Sequence, residues 1–209
     1  MRAIHLLAVL TAGAQELPQW QRQMIPTRAA NIELYTRGSG PAVLMHPGGG
    51  GSAGSLEELG NRVSAAGFRV VLINPRGIGA SKGPLDNATL HDLAADVWDC
   101  ADKLGMSKVH LLGRAFGNRA VRTASSDRPD RVMSVTLLAA GGEIAPAPAD
   151  SANLRMAFDA TVDATQRLTA LRDSLYAPGN QPDPSVLRRM NGETSKKQSE
   201  VVPYGETKV

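Results

Sequence analysis

Four short apolar runs, separated by stretches of helical periodicity, limit what this chain can fold into more than any other feature. The runs occupy residues 42–45, 68–73, 109–112 and 132–139. Continuous apolar runs of this length are typical of strands that are buried on both faces. Because strands that alternate with helices form parallel sheets through right-handed crossovers, the sequence predicts an α/β fold with a mainly parallel sheet flanked by helices.

The segments around these runs carry further signals. Residues 31–37 alternate apolar and polar side chains and predict another strand, whereas residues 15–30 are polar, contain two prolines and predict irregular structure. Helical spacing predicts a helix over 89–104. Two polar residues have structural interpretations. His110 falls in a predicted buried strand and is expected to be a core side chain, and Arg76 is expected to bind loop carbonyls.

Composition and charge indicate which kinds of partner this protein can bind. Hydrophobic residues make up 42% of the 209 residues and charged residues 21%, which is enough apolar material to bury a core. The formal net charge of +3 is spread along the chain, and aromatic residues are only 4%. The basic stripe with interleaved aromatics that nucleic-acid binding needs is therefore missing. The sequence predicts no nucleic-acid partner and no membrane span, and its single cysteine, Cys100, excludes an internal disulfide.

The first 14 residues have the pattern of a secretory signal. Arg2 supplies positive charge, residues 3–11 are mostly apolar, and residues 12–14 are small enough for a cleavage site. The segment is short for a signal, so two locations stay open. The protein is periplasmic or secreted if residues 1–14 act as a signal, and cytoplasmic if they do not.

Three glycine-containing blocks follow three of the predicted strands. They are residues 46–49 (HPGG), 74–81 (NPRGIGAS) and 113–117 (GRAFG). In the third block, the two glycines let a helix pack close to the preceding strand, and Ala115 is small enough for a strained turn between them. The backbone N–H of Phe116 would then point into a site at a helix N-terminus.

A second backbone donor is available from the first block. The N–H of Gly48 or Gly49 would join that of Phe116 in holding a carbonyl oxygen or another small anion. His46 and Arg114 adjoin these donors in the sequence and are candidates for the wall of a pocket. His46 is expected to be structural, and whether Arg114 faces the pocket or solvent stays open.

In their order and spacing, the three blocks resemble the α/β-hydrolase superfamily, over roughly residues 31–142. The resemblance implies that Ala115 stands where this family carries its nucleophile. It also implies that Gly48, Gly49 and Phe116 line the oxyanion hole.

The resemblance equally shows which chemistry is missing. Ala115 has no oxygen for attack on a carbonyl, and the family's catalytic base lies after the nucleophile-bearing turn, called the elbow, which corresponds to residues 113–117 here. The histidines, all of which precede Ala115, are His5, His46, His91 and His110. Glu143 matches an alternative site of the family's acid, but it has no histidine to orient. The resemblance therefore implies a hydrolase-family chain that lacks the serine-hydrolase residues.

The resemblance also divides the chain. It implies a hydrolase-like core over 31–144 and the start of a helical cap over 145–190, with one predicted helix over 152–176. The polar residues 191–209 are predicted to be disordered. Complete family members pair two more strands outward from the strand at 132–139. We therefore expect a truncated or shortened family member in which this strand is an exposed sheet edge that favours self-association.

Three functions stay open from the sequence. The favoured one is a hydrolase-family protein without serine-hydrolase activity that binds a small acyl or carbonyl compound, with no cofactor and no metal. The second is an active hydrolase in which His46 or Glu143 activates a water. The third is a nucleotide-cofactor module, because residues 49–54 fit G-x-G-x-x-G and Asn74 follows about twenty residues later, where dinucleotide folds place a ribose ligand.

Overall fold

The computed structural model describes residues 19–140, 148–159, 161–182 and 184. Its six-stranded sheet comprises β1 (Gln21–Pro26), β2 (Asn31–Arg37), β3 (Ala42–His46), β4 (Arg69–Ile73), β5 (Val109–Arg114) and β6 (Val132–Leu138). The strand order is β1-β2-β4-β3-β5-β6. Strands β4, β3, β5 and β6 run parallel, and β2 runs antiparallel to β1 and β4. The prediction of a mainly parallel sheet is confirmed.

Helices flank the sheet on both faces, as predicted. The α-helices of the described part of the chain are α1 (Glu57–Ala65), α2 (Leu90–Lys103), α3 (Gly117–Asp127), α4 (Pro148–Phe158) and α5 (Ala164–Leu175). Helix α2 confirms the helix predicted over 89–104, and Thr89 and Asp92 close its first turn as a capping box. None of these helices is both long and apolar enough to cross a membrane.

Two apolar clusters join the helices to the sheet. On one face, Leu44, Val71 and Leu111 pack with Val97 and Trp98 of α2. On the other face, the apolar partners of the sheet come from the 3-10 turn at Ala53–Leu56 and from α1. Because the strands are covered on both sides, their sequences are continuously apolar rather than alternating.

The prediction of irregular structure over residues 15–30 is wrong for residues 21–26. These residues form β1, which pairs antiparallel with β2 from Gln21 opposite Thr36 to Pro26 opposite Asn31. β1 lies at a sheet edge and most of its residues are at least partly exposed, so its sequence shows no apolar run. Pro26 ends the strand, where a missing N–H disrupts little of the ladder.

The prediction of a single helix over 152–176 is also wrong. Two helices, α4 and α5, occupy this stretch and form a hairpin with a small apolar cluster of their own. The break is explained by Asp163, whose carboxylate accepts hydrogen bonds from the N–H groups of Thr165 and Gln166 and starts a new helix.

The prediction that the strand at 132–139 forms a sheet edge is confirmed within the described residues. β6 pairs with β5 on one side, and no described strand pairs with its other side. The neighbouring His110 is only partly buried, so its prediction as a core side chain is wrong. Its ring packs edge-on against Phe68, and its Nδ1 lies 2.8 Å from Ser134 Oγ. Ser134 is itself exposed, which leaves this face of β5 and β6 partly open.

Candidate ligand site at the strand–helix elbow

The chain turns sharply between the end of β5 and the start of α3, and Ala115 occupies the turn. Ala115 has φ +49°, in the left-handed region that an L-residue enters at a cost of about 1–2 kcal/mol. Its N–H donates to Leu138 O at 2.9 Å, and its carbonyl accepts from Asn118 N–H at 3.0 Å. The strained turn that the sequence predicts at this position is confirmed.

Two glycines make the elbow compact. A Cβ at Gly113 would lie 2.5 Å from the carbonyl oxygen of Gly117. A Cβ at Gly117 would lie 2.4 Å from His46 O and 2.5 Å from Pro47 O. These distances are too short for any side chain, so the first turn of α3 packs directly on β5 and on the loop after β3.

The loop after β3 lies beside Ala115. A Cβ at Gly48 would be 3.4 Å from Ala115 Cβ. Ala115 is exposed, while Phe116, Gly48 and Gly49 are partly buried. Within the described residues, no group accepts a hydrogen bond from the backbone N–H of Phe116, Gly48 or Gly49. The open face of the elbow is therefore bordered by backbone groups that have no protein partner in this region.

Arg114 lies on the exposed side of the elbow. Its Nη1 donates to Ser55 O at 3.2 Å, which links β5 to the 3-10 turn before α1. The guanidinium carries its charge next to the open face without an acidic partner among the described residues.

His46 lies under the elbow and is almost fully buried, with 2% of its surface exposed. Its Nδ1 is 2.9 Å from Pro47 O, and since a carbonyl only accepts, Nδ1 carries the proton and donates it. Burial lowers the pKa of His46, which keeps the ring neutral. The geometry agrees with the structural interpretation of this residue.

Asn74 is buried and fully engaged with the protein. Its Oδ1 accepts from Ala53 N–H at 2.6 Å, and its Nδ2 donates to Glu33 Oε2 at 2.7 Å. Ser81 Oγ donates to Asn74 O at 2.7 Å, closing the loop after β4 onto itself. Asn74 thus fastens this loop to the 3-10 turn before α1, and its buried amide is hydrogen-bonded within the protein at both ends.

Glu33, which the sequence analysis missed, is the centre of this network. Its side chain is fully buried in β2 and accepts hydrogen bonds from Arg22 Nε at 2.5 Å, Ala80 N–H at 2.7 Å and Tyr35 OH at 3.0 Å. Burial raises the pKa of Glu33, but these bonds and that from Asn74 outweigh burial and hold the pKa below its ordinary value. Glu33 stands at a polar position of the alternating pattern of β2, so the sequence gives no signal that its side chain is buried.

Arg76 pins the loop after β4, as predicted, and also forms a buried ion pair. Its guanidinium donates to Pro84 O at 3.1 Å and to Asp96 Oδ2 at 2.5 Å. Asp96 in turn accepts from Thr27 Oγ1 at 2.8 Å. Both charged groups are buried, so the pair is isolated from solvent.

The remaining candidates do not join the elbow. Glu143 lies outside the described residues, as do residues 1–14 and 191–209. His91 is exposed on α2, where its Nδ1 lies 2.9 Å from an Asp127 carboxylate oxygen. No group of three or more His, Cys, Asp or Glu in the described part of the chain is arranged to hold a metal ion.

These features of the sheet and the elbow are those of the α/β-hydrolase fold, and comparison with known proteins agrees. The model of the alpha/beta hydrolase fold family matches residues 41–199. The chain therefore belongs to the α/β-hydrolase family.

Individual relatives match part of their length. The chain is 32% identical over 115 residues to 2-hydroxy-6-oxo-6-phenylhexa-2,4-dienoate hydrolase of Burkholderia cepacia, covering 53% of this chain and 40% of the relative. It is 29% identical over 128 residues to an epoxide hydrolase of Caballeronia sordidicola, covering 60% of this chain and 37% of the relative. The chain thus spans about two fifths of the length of these curated relatives.

A solved structure shares the fold over most of the chain. An epoxide hydrolase variant from Vigna radiata superimposes with a TM-score of 0.66, covering 87% of this chain and 73% of the other. The sequence identity is 16%, so this likeness supports the fold alone.

Proposed function

We propose that this chain binds a small acyl or carbonyl compound at the elbow and lacks serine-hydrolase activity. The observation that carries the proposal is Ala115, which keeps the strained, exposed conformation of the elbow without an oxygen. A methyl group cannot attack a carbonyl carbon, so no covalent acyl intermediate can form at this position. One relative named above, 2-hydroxy-6-oxo-6-phenylhexa-2,4-dienoate hydrolase, is by its name a hydrolase of an oxo compound, which supports the class of ligand but not its turnover here.

Backbone donors support the binding half of the proposal. The N–H of Phe116 lies at the N-terminus of α3, where aligned peptide dipoles give a partial positive charge. The N–H groups of Gly48 and Gly49 border the same space beside Ala115. Donors of this kind suit a carbonyl or carboxylate oxygen. We therefore assign Gly48, Gly49 and Phe116 as the oxygen-binding residues and Arg114 as the flanking charge.

Neither alternative function gains support from the geometry. A hydrolytic water would need an accessible base. The ring of His46 is enclosed, with its Nδ1 proton committed to Pro47 O, and the other candidate base, Glu143, lies outside the described residues. A nucleotide module would need a free ribose ligand after the glycine loop, and both ends of the Asn74 amide are bound within the protein.

Restoring the nucleophile tests the catalytic half. We expect Ala115→Ser to show no rapid labelling by a fluorophosphonate probe and at most marginal hydrolysis of an activated aryl ester. The reason is that a serine hydroxyl needs an adjacent base, and the described histidines are buried under the elbow or lie elsewhere on β5 and α2. The unmodified chain is the matched control. Rapid stoichiometric labelling of the introduced serine would contradict this expectation.

Blocking the elbow tests the binding half. Titration of the ¹⁵N-labelled chain with butyrate and with ethyl butyrate should shift the amide resonances of Phe116 and of Gly48 or Gly49. Gly48→Ala should abolish these shifts, because its methyl would lie 3.4 Å from Ala115 Cβ and fill the space above it. The same distance is ordinary van der Waals contact, so the variant should fold. If neither compound shifts Phe116 in the unmodified chain, the proposed oxygen site is wrong.

A further inference from the structure

The outer edge of β6 offers backbone groups for another strand. Ala115 N–H donates to Leu138 O, so the carbonyl of Leu138 points toward β5. Backbone direction alternates along a strand, and the N–H and C=O of one residue point to the same side. Val135 and Leu137 therefore direct their N–H and C=O groups away from β5, where no described strand accepts them.

The sequence of β6 has the same polarity pattern when it is read from either end. In VMSVTLL, centred on Val135, Ser134 corresponds to Thr136, and Met133 corresponds to Leu137. The terminal residues of the strand, at 132 and 138, are both aliphatic. We propose that β6 pairs antiparallel with β6 of a second copy of this chain, about a two-fold axis through Val135.

The backbone directions fit this register. Val135 would exchange both hydrogen bonds with Val135 of the other copy. Two residues along in each direction, Leu137 would lie opposite Met133, the residue that the register of β6 with β5 skips. The outward-facing N–H and C=O of Val135 thus meet the same groups of the other copy in the register that the polarity pattern also selects.

The side chains fit as well. Met133 is 52% exposed and Leu137 is 39% exposed, and they are the large exposed apolar residues of the sheet in the described region. In the proposed register each lies directly across from the other, with backbones about 5.5 Å apart. Pairing would bury both against each other, as cross-strand apolar pairs do in sheets.

Charge does not oppose the pairing. β6 contains no charged residue, whereas natural sheet edges that stay unpaired commonly carry lysine or an inward-pointing charge. The nearest flanking cation, Arg131, would lie opposite Ala139 of the other copy, so like charges do not meet. A self-complementary strand selects a partner with the same pattern, and this is why the occupant is a second copy.

The expected dimer is weak and reversible. A strand of seven residues is about 23 Å long. A standard stable interface buries about 800 Å² of surface on each partner, and a single pair of such strands buries less than that. Sedimentation velocity of the 209-residue chain over a range of concentrations should therefore show a monomer–dimer equilibrium. Hydrogen exchange at Val135 and Leu137 should slow as concentration rises.

Two double variants test the register. Met133→Lys with Leu137→Lys places lysine opposite lysine at both outer pairs and should abolish the dimer. Met133→Lys with Leu137→Glu places each lysine opposite a glutamate of the other copy and should retain it. Both variants lose the same apolar surface, so association that depends on apolar surface alone would fail in both.

The matched control removes exposed apolar residues elsewhere. Met156→Lys with Leu175→Lys changes side chains that are 41% and 57% exposed on α4 and α5, and should leave the dimer intact. Far-UV circular dichroism confirms that each variant is folded. The proposal is overturned if the unmodified chain stays monomeric at every concentration, if the lysine–lysine variant still dimerises, or if the lysine–glutamate variant does not.

Discussion

The contact between α3 and the loop after β3 leads to a quantitative prediction for Gly117→Ala. The added methyl would lie 2.4 Å from His46 O and 2.5 Å from Pro47 O. Both obstacles are backbone atoms, so a rotamer change cannot relieve them. The carbon and oxygen atoms must separate by nearly 1 Å, which displaces α3 from a face where Ala120, Val121 and Ala124 are almost completely buried. Overpacking of this kind costs about 1–3 kcal/mol or more.

Helix propensity opposes this loss only in part. Alanine is favoured over glycine in a helix by about 1 kcal/mol in the interior and by less in the first turn. We therefore expect Gly117→Ala to lower the free energy of unfolding by about 1–2 kcal/mol, the overpacking cost less the helix-propensity gain, in urea denaturation followed by circular dichroism. Gly48→Ala, in the same site but with ordinary contacts at 3.4 and 3.6 Å, is the control and should change stability far less. Equal stability of the two variants would refute the packing argument.

Two further predictions concern buried charge. Asp96→Asn should lower the free energy of unfolding, measured in urea, by about 3–5 kcal/mol, because it leaves the buried Arg76 without a counter-charge. The control Asp99→Asn removes a surface pair with Arg28 and should have a much smaller effect in the same experiment. The hydrogen-bonded carboxylate of Glu33 has a lowered pKa in the folded state. Its contribution to the free energy of unfolding is therefore complete above the unfolded pKa of about 4.3 and is lost as pH falls through the folded pKa. Stability measured between about pH 5 and pH 3 should fall less steeply in Glu33→Gln than in the unmodified chain.

The sequence predicted those parts of the fold and the site that depend on local pattern. Residues 42–45 and 70–73 are apolar on both faces of their strands, and a buried parallel strand needs that pattern. The elbow was predictable because steric exclusion at Gly113 and Gly117 and strain at Ala115 involve residues within one short turn.

The features that the sequence did not reveal depend on partners distant in the chain. β1 is a strand because β2 pairs with it, and its own residues QRQMIP begin with three polar side chains and end in proline. Glu33 receives hydrogen bonds from Arg22, Asn74 and Ala80, which no local pattern connects. The sequence neighbours of His110 are apolar, but its side chain is only partly buried. Burial depends on which elements lie over a strand rather than on the strand's own sequence.

The conformation of Ala115 leads to a last prediction, about the cost of keeping the elbow without its nucleophile. Left-handed φ costs an alanine about 1–2 kcal/mol, and glycine enters this region freely but loses about 0.5–1 kcal/mol more chain entropy on folding. Ala115→Gly should therefore raise the free energy of unfolding by about 0.5–1 kcal/mol in urea. Ala65→Gly, at an exposed right-handed position in α1, lacks this strain and should lower it instead. If Ala115→Gly is destabilising like its control, then Ala115 is not strained, and the elbow of this chain does not hold the conformation on which its proposed ligand site depends.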